Sequence, residues 1–407
     1  MSDVGPQDLV IVLTYYTPYV SGLTNVARDV AEGLVARGWR VTVVTTDHEG
    51  DLPREQVLRG VRVVRAPVLA AVGKGTISPA FVPTALRELR NARVGNLHLP
   101  MLEAGAIART TRTPVVVTYH CDVTMPPGLV NRLQQAVIDT SSRRALRAAA
   151  AAIATSEDYA RHSRMAPELL PDVIAVPPPC VPSPGGRPAF RDGPGLHVGF
   201  LGRIVAEKGL GYLVDAFLAL DDPDARLLIA GEFDRVAGGS VIDDVRARIG
   251  GDPRVRVLGF VPDEQLADLY ASMDVLALPS VNAFEAFGIV QVVAMLEGVP
   301  ALVSDIPGVR SVVRRTGFGE IVTPRDVRGL TAAMRRLRDH PPDARAGAAA
   351  AARDYGVTAV LDAYETVFRR CASSPIPAPA RARSGPDAVT APLPPGPSGP
   401  SAPEERS

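Results

Sequence analysis

The rarest basic side chain of this sequence lies where a phosphate group could bind. Only two of the 44 lysine and arginine residues are lysines, Lys74 and Lys208. Lys208 follows Arg203 in a stretch between a strand-like apolar run, residues 197–201, and a helix-like run. The start of a helix offers free backbone N–H groups and the positive end of the helix dipole, and a lysine adds a compact charge. This junction therefore indicates a phosphate site, and a chance surface lysine is the alternative.

A second junction of the same kind lies further along the chain. A strand-like run, residues 274–278, leads through a loop that contains Glu285 and Gly288 into a helix-like run that ends near Leu296. A carboxylate accepts hydrogen bonds from sugar hydroxyl groups, and a glycine lets the backbone approach an anion closely. The second junction therefore indicates contacts to a sugar and to an anion.

Taken together, the two junctions resemble the donor site of family-4 retaining glycosyltransferases, which have the GT-B fold. The resemblance rests on Arg203, Lys208 and the loop 285–288, and it continues in the segments 298–300 and 304–309. It implies a nucleoside-diphosphate sugar as the donor, a hydroxyl-bearing acceptor and no cofactor. Four matching residues are implied in the reaction itself: His120, Glu285, Arg203 and Lys208. Donor binding is implied for Gly22, Arg203, Lys208, Val261, Glu285, Phe287, Gly288 and Ile289.

Short apolar runs alternate with helical stretches along the chain, which is typical of parallel α/β folds. The strand-like runs of the first half are residues 9–15, 39–45, 61–66, 96–99, 114–119 and 151–155. Those of the second half are residues 198–201, 227–230, 255–260, 274–278, 301–304 and 320–322. We therefore predict an α/β protein with two tandem Rossmann-like, doubly wound domains that face a central cleft, as in the GT-B fold.

Proline and glycine punctuate residues 182–194 in the manner of a linker between domains. We expect an N-terminal, acceptor-side domain over residues 1–185 and a nucleotide-sugar-binding domain over residues 194–355. The GT-B resemblance implies that a last helix, residues 356–372, packs back toward the first domain. Residues 373–407 are rich in proline and alanine and have little to bury, which predicts a disordered tail.

Ligands of doubly wound folds bind at the carboxyl ends of the strands, so the loops there should line the cleft. The loop 15–22 resembles the family's glycine-rich loop, whose last glycine amide, here Gly22, contacts the donor phosphate. Ser21 replaces the other glycine, at a position that we expect to favour a positive φ. An ordinary strand-to-helix turn is the alternative. Val261 lies in a segment that resembles the one whose backbone meets the nucleobase.

The segment 118–122 resembles the family's histidine segment, in which the histidine lies beside the donor sugar and the reacting bond. It places His120 at the end of a buried strand, where a structural histidine is the alternative. Asp122 either orients the loop or contacts acceptor hydroxyl groups. His98, which ends another strand, is either on the acceptor side or structural. Ser156 fits both a position lining the cleft and plain capping of a helix.

One position departs from the family pattern. Family members have a second glutamate eight positions after the first, which accepts a hydrogen bond from the nucleotide ribose, and Val293 stands there. Glu297 lies one helical turn further on, displaced by about 6 Å of helix rise, so we do not expect it to substitute directly. Either backbone, water or other residues hold the ribose, or the donor carries a deoxyribose, as thymidine diphosphate sugars do.

The resemblance also implies a mechanism. Configuration is retained by front-face attack, and the departing phosphate accepts the proton of the acceptor. Arg203, Lys208 and the amides of Gly22 and Gly288 can stabilise that leaving group without a metal ion. A nucleotide-sugar epimerase and a non-catalytic nucleotide-sugar-binding partner are the alternative functions. The acceptor stays open between a polysaccharide or glycolipid intermediate and a secondary metabolite.

Composition indicates the setting of the protein. A formal net charge of +0 with 46% hydrophobic residues describes a globular protein without the basic surface of nucleic-acid binding. Three cysteines without metal-ligand spacing, and an N-terminus without a basic signal region, predict a cytoplasmic location. No apolar stretch reaches the length of a membrane span. We expect any membrane contact to be peripheral, for instance through the arginine-rich stretch 142–147 at the inner face.

Overall fold

The computed structural model of the protein describes residues 7–72, 75–125, 128–234, 239–282 and 284–373. Lys74 and the predicted tail beyond Ser373 lie outside the described residues. Within them, strands and helices alternate, and most strands belong to two large sheets. The predicted α/β class with two parallel-sheet domains is therefore confirmed. We call the part around the first sheet, residues 7–175, the first lobe and the part around the second sheet, residues 197–355, the second lobe.

The first sheet is built from strands with long buried runs. In chain order the strands of the first lobe are β1 (Gln7–Val12), β2 (Val41–Thr46), β3 (Glu55–Leu58), β4 (Val61–Ala66), β5 (Ala70–Val72), β6 (Gly75–Ile77), β7 (Ala92–Leu99), β8 (Val115–Tyr119), β9 (Ala151–Ala154) and β10 (Val173–Ala175). Across the described residues, the sheet order is β10-β9-β8-β7-β1-β2-β4-β3. Within the described part of this sheet, only the edge strand β3 is antiparallel to its neighbour, and β5 and β6 form a separate hairpin.

The second sheet repeats the design with fewer strands. Its strands are β11 (His197–Leu201), β12 (Arg226–Ala230), β13 (Val255–Gly259), β14 (Val275–Leu278), β15 (Ala301–Ser304) and β16 (Gly319–Val322). In the part of the chain that is described, they are all parallel in the order β13-β12-β11-β14-β15-β16. In each lobe the order reverses beside the first strand, β1 or β11, which is where doubly wound folds open a crevice for ligands.

Helices cover both faces of each sheet. Those of the first lobe are α1 (Gly22–Ala36), α2 (Phe81–Leu89), α3 (Ala104–Thr110), α4 (Leu129–Ala148), α5 (Glu157–His162) and α6 (Ala166–Leu169). The later ones are α7 (Leu210–Leu218), α8 (Ile242–Ile249), α9 (Asp263–Ala271), α10 (Ile289–Leu296), α11 (Val309–Thr316), α12 (Val327–Asp339), α13 (Ala344–Tyr355) and α14 (Val357–Ser373). None of the helices in the described ranges is long and apolar enough to cross a bilayer.

The strand sequences are continuous apolar runs because both faces of these strands are buried. Every residue of β2, β8 and β9 is buried, as parallel sheets with helices on both sides require. The helix α1 turns Val26, Val30 and Leu34 toward the sheet, at the spacing of one helix face. The helix α1 is therefore amphipathic, with this face buried against the first sheet.

The last helix returns to the first sheet. Val360, Tyr364 and Phe368 of α14 are buried in the same apolar cluster as Leu9 and Val116 of the first sheet. They lie one helical turn apart on one face, so α14 packs along its length against β7 and β8. The chain thus crosses from the second lobe back to the first after α13.

Candidate active site

The two loops that the sequence indicated meet at the carboxyl end of the second sheet. Arg203 and Lys208 lie between β11 and α7, and Glu285 lies between β14 and α10. Nζ of Lys208 makes an ion pair with Oε2 of Glu285, and both side chains are largely buried. The backbone N–H of Val281 donates to the carbonyl oxygen of Glu207 at 2.9 Å. A cation and a carboxylate are therefore held side by side at this edge of the sheet.

Gly209 permits the close approach of these loops. Its φ is +68°, and a Cβ atom there would lie 2.1 Å from the carbonyl oxygen of Pro279. A side chain at this position would strain the backbone and push the loops apart. On the same loop, Nη2 of Arg203 makes an ion pair with Oε1 of Glu207 at 3.4 Å. Each cation of the loop is thus paired with a carboxylate in this structure.

Gly22 and Gly288 lie at the N-termini of α1 and α10. Gly288 is the N-cap of α10 with a φ of +77°, and a Cβ atom there would lie 2.4 Å from the Leu278 side chain. Gly22 is the first residue of α1, and apart from its chain neighbours and the backbone of its own helix, no atom lies within 4 Å of the position that its Cβ would take. The first amides of a helix have no intrahelical partner. Both helices can therefore offer backbone N–H groups to an anion.

The two helix starts share packing. Leu23, next to Gly22, and Ile289, next to Gly288, both pack against the apolar cluster between the first sheet, α1 and α14. Ile289 also packs against the core of the second lobe. The N-termini of α1 and α10 are therefore anchored to a common core, one from each side of the cleft.

The expectation of a positive φ at Ser21 is wrong. Its φ is −155° and its ψ is 165°, which is extended backbone. Ser21 is the N-cap of α1, and its Oγ accepts a hydrogen bond from the N–H of Thr24 at 3.2 Å. The serine thus stabilises the start of the helix that carries Gly22. Ser156 caps α5 in the same way, with its Oγ accepting from the N–H of Tyr159 at 3.0 Å.

The side chain of Phe287 faces the core and not the cleft. It is 4% exposed, and its ring meets the edge of Tyr355 with 5.8 Å between centroids. Ile289 is likewise half-buried between the two apolar clusters. We therefore expect any donor contact of these two residues to come from their backbone.

The Glu285 loop also contacts the first lobe. Oγ1 of Thr155, at the end of β9, donates to the carbonyl oxygen of Ala286 at 3.5 Å. Burial raises the pKa of the Cys121 thiol to about 12, and the negative charge of Glu285 is among the further causes. Glu285 is therefore close enough to the segment after β8 to act on it electrostatically, and this segment carries His120.

A second contact between the lobes joins two residues that no sequence motif singled out, Asp158 and Arg310. The carboxylate of Asp158 in α5 accepts from the N–H of Gly308 at 3.0 Å and from the guanidinium of Arg310 at 2.8 and 2.9 Å. Burial opposes the charge on Asp158, but the hydrogen bonds from Arg310 and Gly308 outweigh it and lower its pKa. The family match of the segment 304–309 was the only signal for this contact.

His120 lies just after β8, at the edge of the first sheet that faces the Glu285 loop. Its backbone N–H donates to the carbonyl oxygen of Leu99 at 3.1 Å and extends the pairing of β8 with β7. The side chain is 8% exposed, and burial lowers its pKa to about 4. The imidazole is therefore neutral near pH 7 and can accept a hydrogen bond from a hydroxyl group.

His98 lies directly behind His120. Its Nδ1 is 2.9 Å from Nε2 of His120, and its Nε2 is 2.7 Å from Oδ1 of Asn96. The His98 side chain is completely buried, and this burial holds its pKa well below the usual range. Of the two roles left open for His98, the structure supports a partner of His120 and not an acceptor contact. Asn96 was not recognised from the sequence.

Asp122 orients the loop after β8. Its carboxylate accepts three hydrogen bonds, from the Tyr119 hydroxyl at 2.5 Å, the Ser163 hydroxyl at 2.9 Å and the Arg164 N–H at 3.2 Å. These partners occupy both carboxylate oxygens. The orienting role that the sequence left open is therefore favoured over a contact to acceptor hydroxyl groups.

Val261 and Val293 belong to one apolar cluster in the second lobe. Val261 is buried, and Val293 is half-buried at the edge of the cluster. Glu297 is engaged elsewhere, because its Oε1 accepts from the N–H of Ser183 at 2.7 Å. An apolar surface therefore stands at the position of the second glutamate. Among the described residues, no group of three or more histidine, cysteine, aspartate or glutamate side chains is placed to hold a metal ion.

Two family models match the chain in tandem. The Glycosyl transferase 4-like domain matches residues 21–179, and the Glycosyl transferases group 1 model matches residues 195–340. The phosphatidyl-myo-inositol mannosyltransferase of Mycobacterium leprae is 30% identical over 377 residues, which cover 88% of this chain and 96% of that protein. The 2-deoxystreptamine glucosyltransferase of Streptomyces kanamyceticus is 28% identical over 368 residues, which cover 80% of this chain and 93% of that protein.

Solved structures share the two-lobed architecture. Sucrose-phosphate synthase from Thermosynechococcus elongatus aligns with a TM-score of 0.71 at 19% identity, over 89% of this chain and 98% of that one. Anabaena HepE, solved in complex with UDP, aligns with a TM-score of 0.65 at 17% identity, over 89% of this chain and 100% of that one. At these identities the likeness concerns the fold, and it agrees with the two doubly wound sheets described above.

Proposed function

Since this chain belongs to the group 1 glycosyltransferases with a glycosyltransferase 4-like first domain and the GT-B fold, we propose that it is a retaining, metal-independent enzyme. It moves a sugar from a nucleoside-diphosphate sugar to a hydroxyl group of the acceptor. The observation that carries the proposal is the meeting of Lys208 and Glu285 at one edge of the second sheet, where the Glu285 loop contacts Thr155 of the first lobe. Glycosyl transfer needs a cation for the leaving diphosphate and acceptors for the sugar hydroxyl groups, and these loops bring both together.

The leaving group is the source of the charge that the site must stabilise. A diphosphate carries more negative charge than a carboxylate, so we infer that it takes over the Lys208 ammonium and frees Glu285 for the sugar. Arg203 and the amides of Gly22 and Gly288 add positive charge around the phosphates. The UDP bound to the similarly folded Anabaena protein supports a nucleotide as part of the donor.

Retention follows if the acceptor attacks the face from which the diphosphate departs. The bond from the anomeric carbon to the phosphate oxygen breaks, the acceptor oxygen bonds to the same face, and its proton moves to the departing phosphate. A separate carboxylate base is then unnecessary. Neutral His120 accepts a hydrogen bond from a hydroxyl group of the donor sugar, and closure of the two lobes excludes water.

A pair of variants tests the proposal. Lys208→Gln removes the cation that is paired with Glu285, whereas Arg93→Gln removes an exposed cation at the amino end of β7, away from the cleft. We expect Lys208→Gln to lower kcat about a hundredfold and Arg93→Gln to leave it unchanged. Proton NMR of the product should show the donor's anomeric configuration, and EDTA should not affect the rate. Unchanged transfer by Lys208→Gln, or an inverted product, contradicts the proposal.

Two outcomes of the same assays favour the alternative functions. A changed nucleotide sugar formed without any acceptor indicates an epimerase. Tight nucleotide binding without turnover over a broad donor panel indicates a non-catalytic partner, for which the missing carboxylate at Val293 is the motivating observation.

For the acceptor, we propose a hydroxylated cyclohexane ring. The names of both relatives above refer to compounds with such a ring, myo-inositol and 2-deoxystreptamine. In the first name the ring is part of a lipid, phosphatidyl-myo-inositol, and in the second it is not. A panel of myo-inositol, inositol phosphate, phosphatidylinositol and 2-deoxystreptamine tests this idea. Transfer to at least one of them supports it. Transfer only to sugars or other alcohols rules it out.

We further propose a peripheral contact of the first lobe with the inner face of the membrane. The start of α4 exposes an apolar strip consisting of Leu129, Val130, Leu133 and Val137. Beside it, a groove of about 660 Å³ between α3 and α4 is lined by Arg109 and Arg144, which have no ion-pair partner among the described residues. Apolar side chains next to unpaired arginines suit an anionic lipid surface. By contrast, Arg143 and Arg147 of the stretch 142–147 are paired with Glu168.

Vesicle sedimentation tests the membrane contact. We expect binding to vesicles with anionic lipid, weakened by salt, and a several-fold loss in a double variant with Leu129→Ser and Leu133→Ser. Val57→Ser removes an apolar side chain as exposed as Leu133 from the edge strand β3 and serves as the control. Equal binding by the double variant and the control contradicts this part of the proposal.

A further inference from the structure

A row of polar side chains runs through the core behind His120. Asn96 and His98 alternate on β7, and Thr118 and His120 alternate at the end of β8, so each pair lies on one face of the sheet. The register places Asn96 beside Val116 and His98 beside Thr118. Asn96 and His98 are completely buried. Because burying a polar group without a partner is costly, the hydrogen bonds of this row must be satisfied within it.

The orientation of Asn96 is fixed by a backbone carbonyl group. One end of its amide lies 3.1 Å from the carbonyl oxygen of Val116 and 2.9 Å from Oγ1 of Thr118. A carbonyl oxygen can only accept, so this end is the amide nitrogen. The other end, Oδ1, faces Nε2 of His98 at 2.7 Å. Since Oδ1 can only accept, Nε2 of His98 carries a proton.

The proton position on His98 determines the proton position on His120. Burial keeps His98 neutral, so with its proton on Nε2 its Nδ1 has a lone pair. Nδ1 faces Nε2 of His120 at 2.9 Å, and Nε2 of His120 must therefore donate. The ring centroids are 5.0 Å apart with 29° between the planes, as expected for rings that meet along this hydrogen bond. The lone pair of neutral His120 is then on Nδ1.

Nδ1 of His120 is the ring nitrogen that can still accept a hydrogen bond. Among the described residues, Nδ1 has no hydrogen-bond partner, and it is not fully buried. It can therefore be reached from solvent. On the far side, the hydroxyl group of Tyr364 from α14 lies against Thr118 and closes the row from solvent. The row therefore has one open end, and that end is an acceptor.

We propose that Asn96 and His98 are positioning residues that hold His120 as the Nε2–H tautomer, so that Nδ1 accepts from a hydroxyl group in the cleft. A hydroxyl donor fits this atom, and a phosphate oxygen does not, because both atoms would be acceptors. This proposal rests on the proposed function only in identifying the hydroxyl group as one of the donor sugar. It explains how a histidine in a phosphate-binding cleft is directed to the sugar.

Nitrogen NMR of the full chain tests the tautomers directly. Long-range proton–nitrogen spectra of ¹⁵N-histidine-labelled protein distinguish Nδ1–H from Nε2–H rings, and the chain has six histidines to assign. His98→Gln and His120→Asn identify two of the signals. We expect both His98 and His120 to be neutral Nε2–H tautomers near pH 7. An Nδ1–H tautomer or a charged ring at His120 in the wild type overturns the proposal.

A pair of substitutions at His98 separates positioning from packing. A glutamine can donate to Asn96 and accept from His120, whereas a methionine fills the space without either hydrogen bond. We expect His98→Gln to keep the tautomer of His120 and most of kcat, and His98→Met to lose the tautomer preference and lower kcat about tenfold. His340→Gln changes an exposed histidine and controls for labelling and assay. Equal spectra and rates for the glutamine and methionine variants contradict the positioning role.

The NMR spectra are recorded without substrate. They therefore distinguish a failure of the positioning role from a failure of the proposed function. Tautomers as expected in a protein without transferase activity refute the proposed function and leave the positioning role standing. Transferase activity with another tautomer at His120 refutes the positioning role alone. If His98→Met does not fold, the wild-type spectrum still decides.

Discussion

The two sides of the cleft differ in charge: the first lobe presents neutral side chains, and the second lobe presents charged ones. On the first lobe, His120 is buried, neutral and backed by the uncharged side chains of His98 and Asn96. On the second lobe, Lys208 and Glu285 are charged groups on loops, and each occupies the other in this structure. A neutral acceptor in a rigid row suits a neutral hydroxyl group. The paired charges of Lys208 and Glu285 suit a charged leaving group, which can replace Glu285 as the partner of Lys208.

This difference extends to what holds each side in place. The first side depends on burial of neutral rings between β7 and β8, so it should respond to protonation. The second side depends on glycines that let loops and helix starts approach closely, so it should respond to added side chains.

Gly288→Ala should have the largest effect on stability. Alanine must adopt a φ of +77°, and its Cβ atom must lie 2.4 Å from the Leu278 side chain. Left-handed backbone and overpacking together should lower the free energy of unfolding by about 2–4 kcal/mol. Urea unfolding followed by circular dichroism measures the change. An unfolding midpoint equal to that of the wild type would show that the second side does not depend on this glycine.

Acid should destabilise the first side. The pKa of His120 is about 4 in the folded protein and about 6.5 when unfolded, so below pH 6.5 the unfolded state binds more protons. Stability should therefore fall as the pH drops from 6.5 to 4, by about 3 kcal/mol from His120. His98, whose pKa burial also lowers, acts in the same direction. Unfolding midpoints of the wild type and His120→Asn over this range measure the effect, and parallel curves would contradict it.

Val293→Glu tests how the second side holds the nucleotide. Val293 is part of an apolar cluster and Glu297 is engaged with Ser183, so we propose that the donor carries a deoxyribose. The wild type should then prefer thymidine diphosphate. The added carboxylate should improve binding of a ribonucleotide about tenfold, as a charge-assisted hydrogen bond does. Calorimetry with both nucleotides measures this, and an unchanged ribonucleotide affinity would refute the idea.

Gly22→Ala should have the smallest effect on stability. Gly22 begins a helix, and apart from its chain neighbours and the backbone of that helix, no atom lies within 4 Å of the position of its Cβ, in contrast to Gly288. The free energy of unfolding should change by less than about 1 kcal/mol, with alanine the more stable. Nucleotide affinity should fall nonetheless, because a methyl group would stand before the free amides. Destabilisation as large as in Gly288→Ala would remove the distinction between the two helix starts.

Much of the fold could be predicted because buried parallel strands are continuous apolar runs. The runs 114–119 and 301–304 correspond to β8 and β15. The strands that were missed, β3, β5, β6 and β10, are short, and β3 is half-exposed at a sheet edge. Such strands owe their conformation to pairing with a neighbour, which the local sequence does not show.

The site was predictable where a motif lies on one loop and not where it joins distant segments. The loops of Lys208 and Glu285 follow strands and match a family pattern, and the structure brings them together. The row from Asn96 to His120 depends on the register of β7 with β8, which no single segment contains. An asparagine within an apolar strand was the available signal. The contact of Asp158 with Arg310 likewise appears only after both lobes are folded.

The most direct measurement is calorimetric binding of uridine, guanosine, adenosine and thymidine diphosphates to the wild type and to Lys208→Gln. If the charged side of the cleft is built for a nucleoside diphosphate, the wild type should bind at least one of the four. Lys208→Gln should bind it about tenfold to a hundredfold more weakly, as expected for the loss of a hydrogen bond to a charged group. Equal affinity in both proteins, or no binding of any of the four, would contradict a nucleotide-sugar site at Lys208 and Glu285.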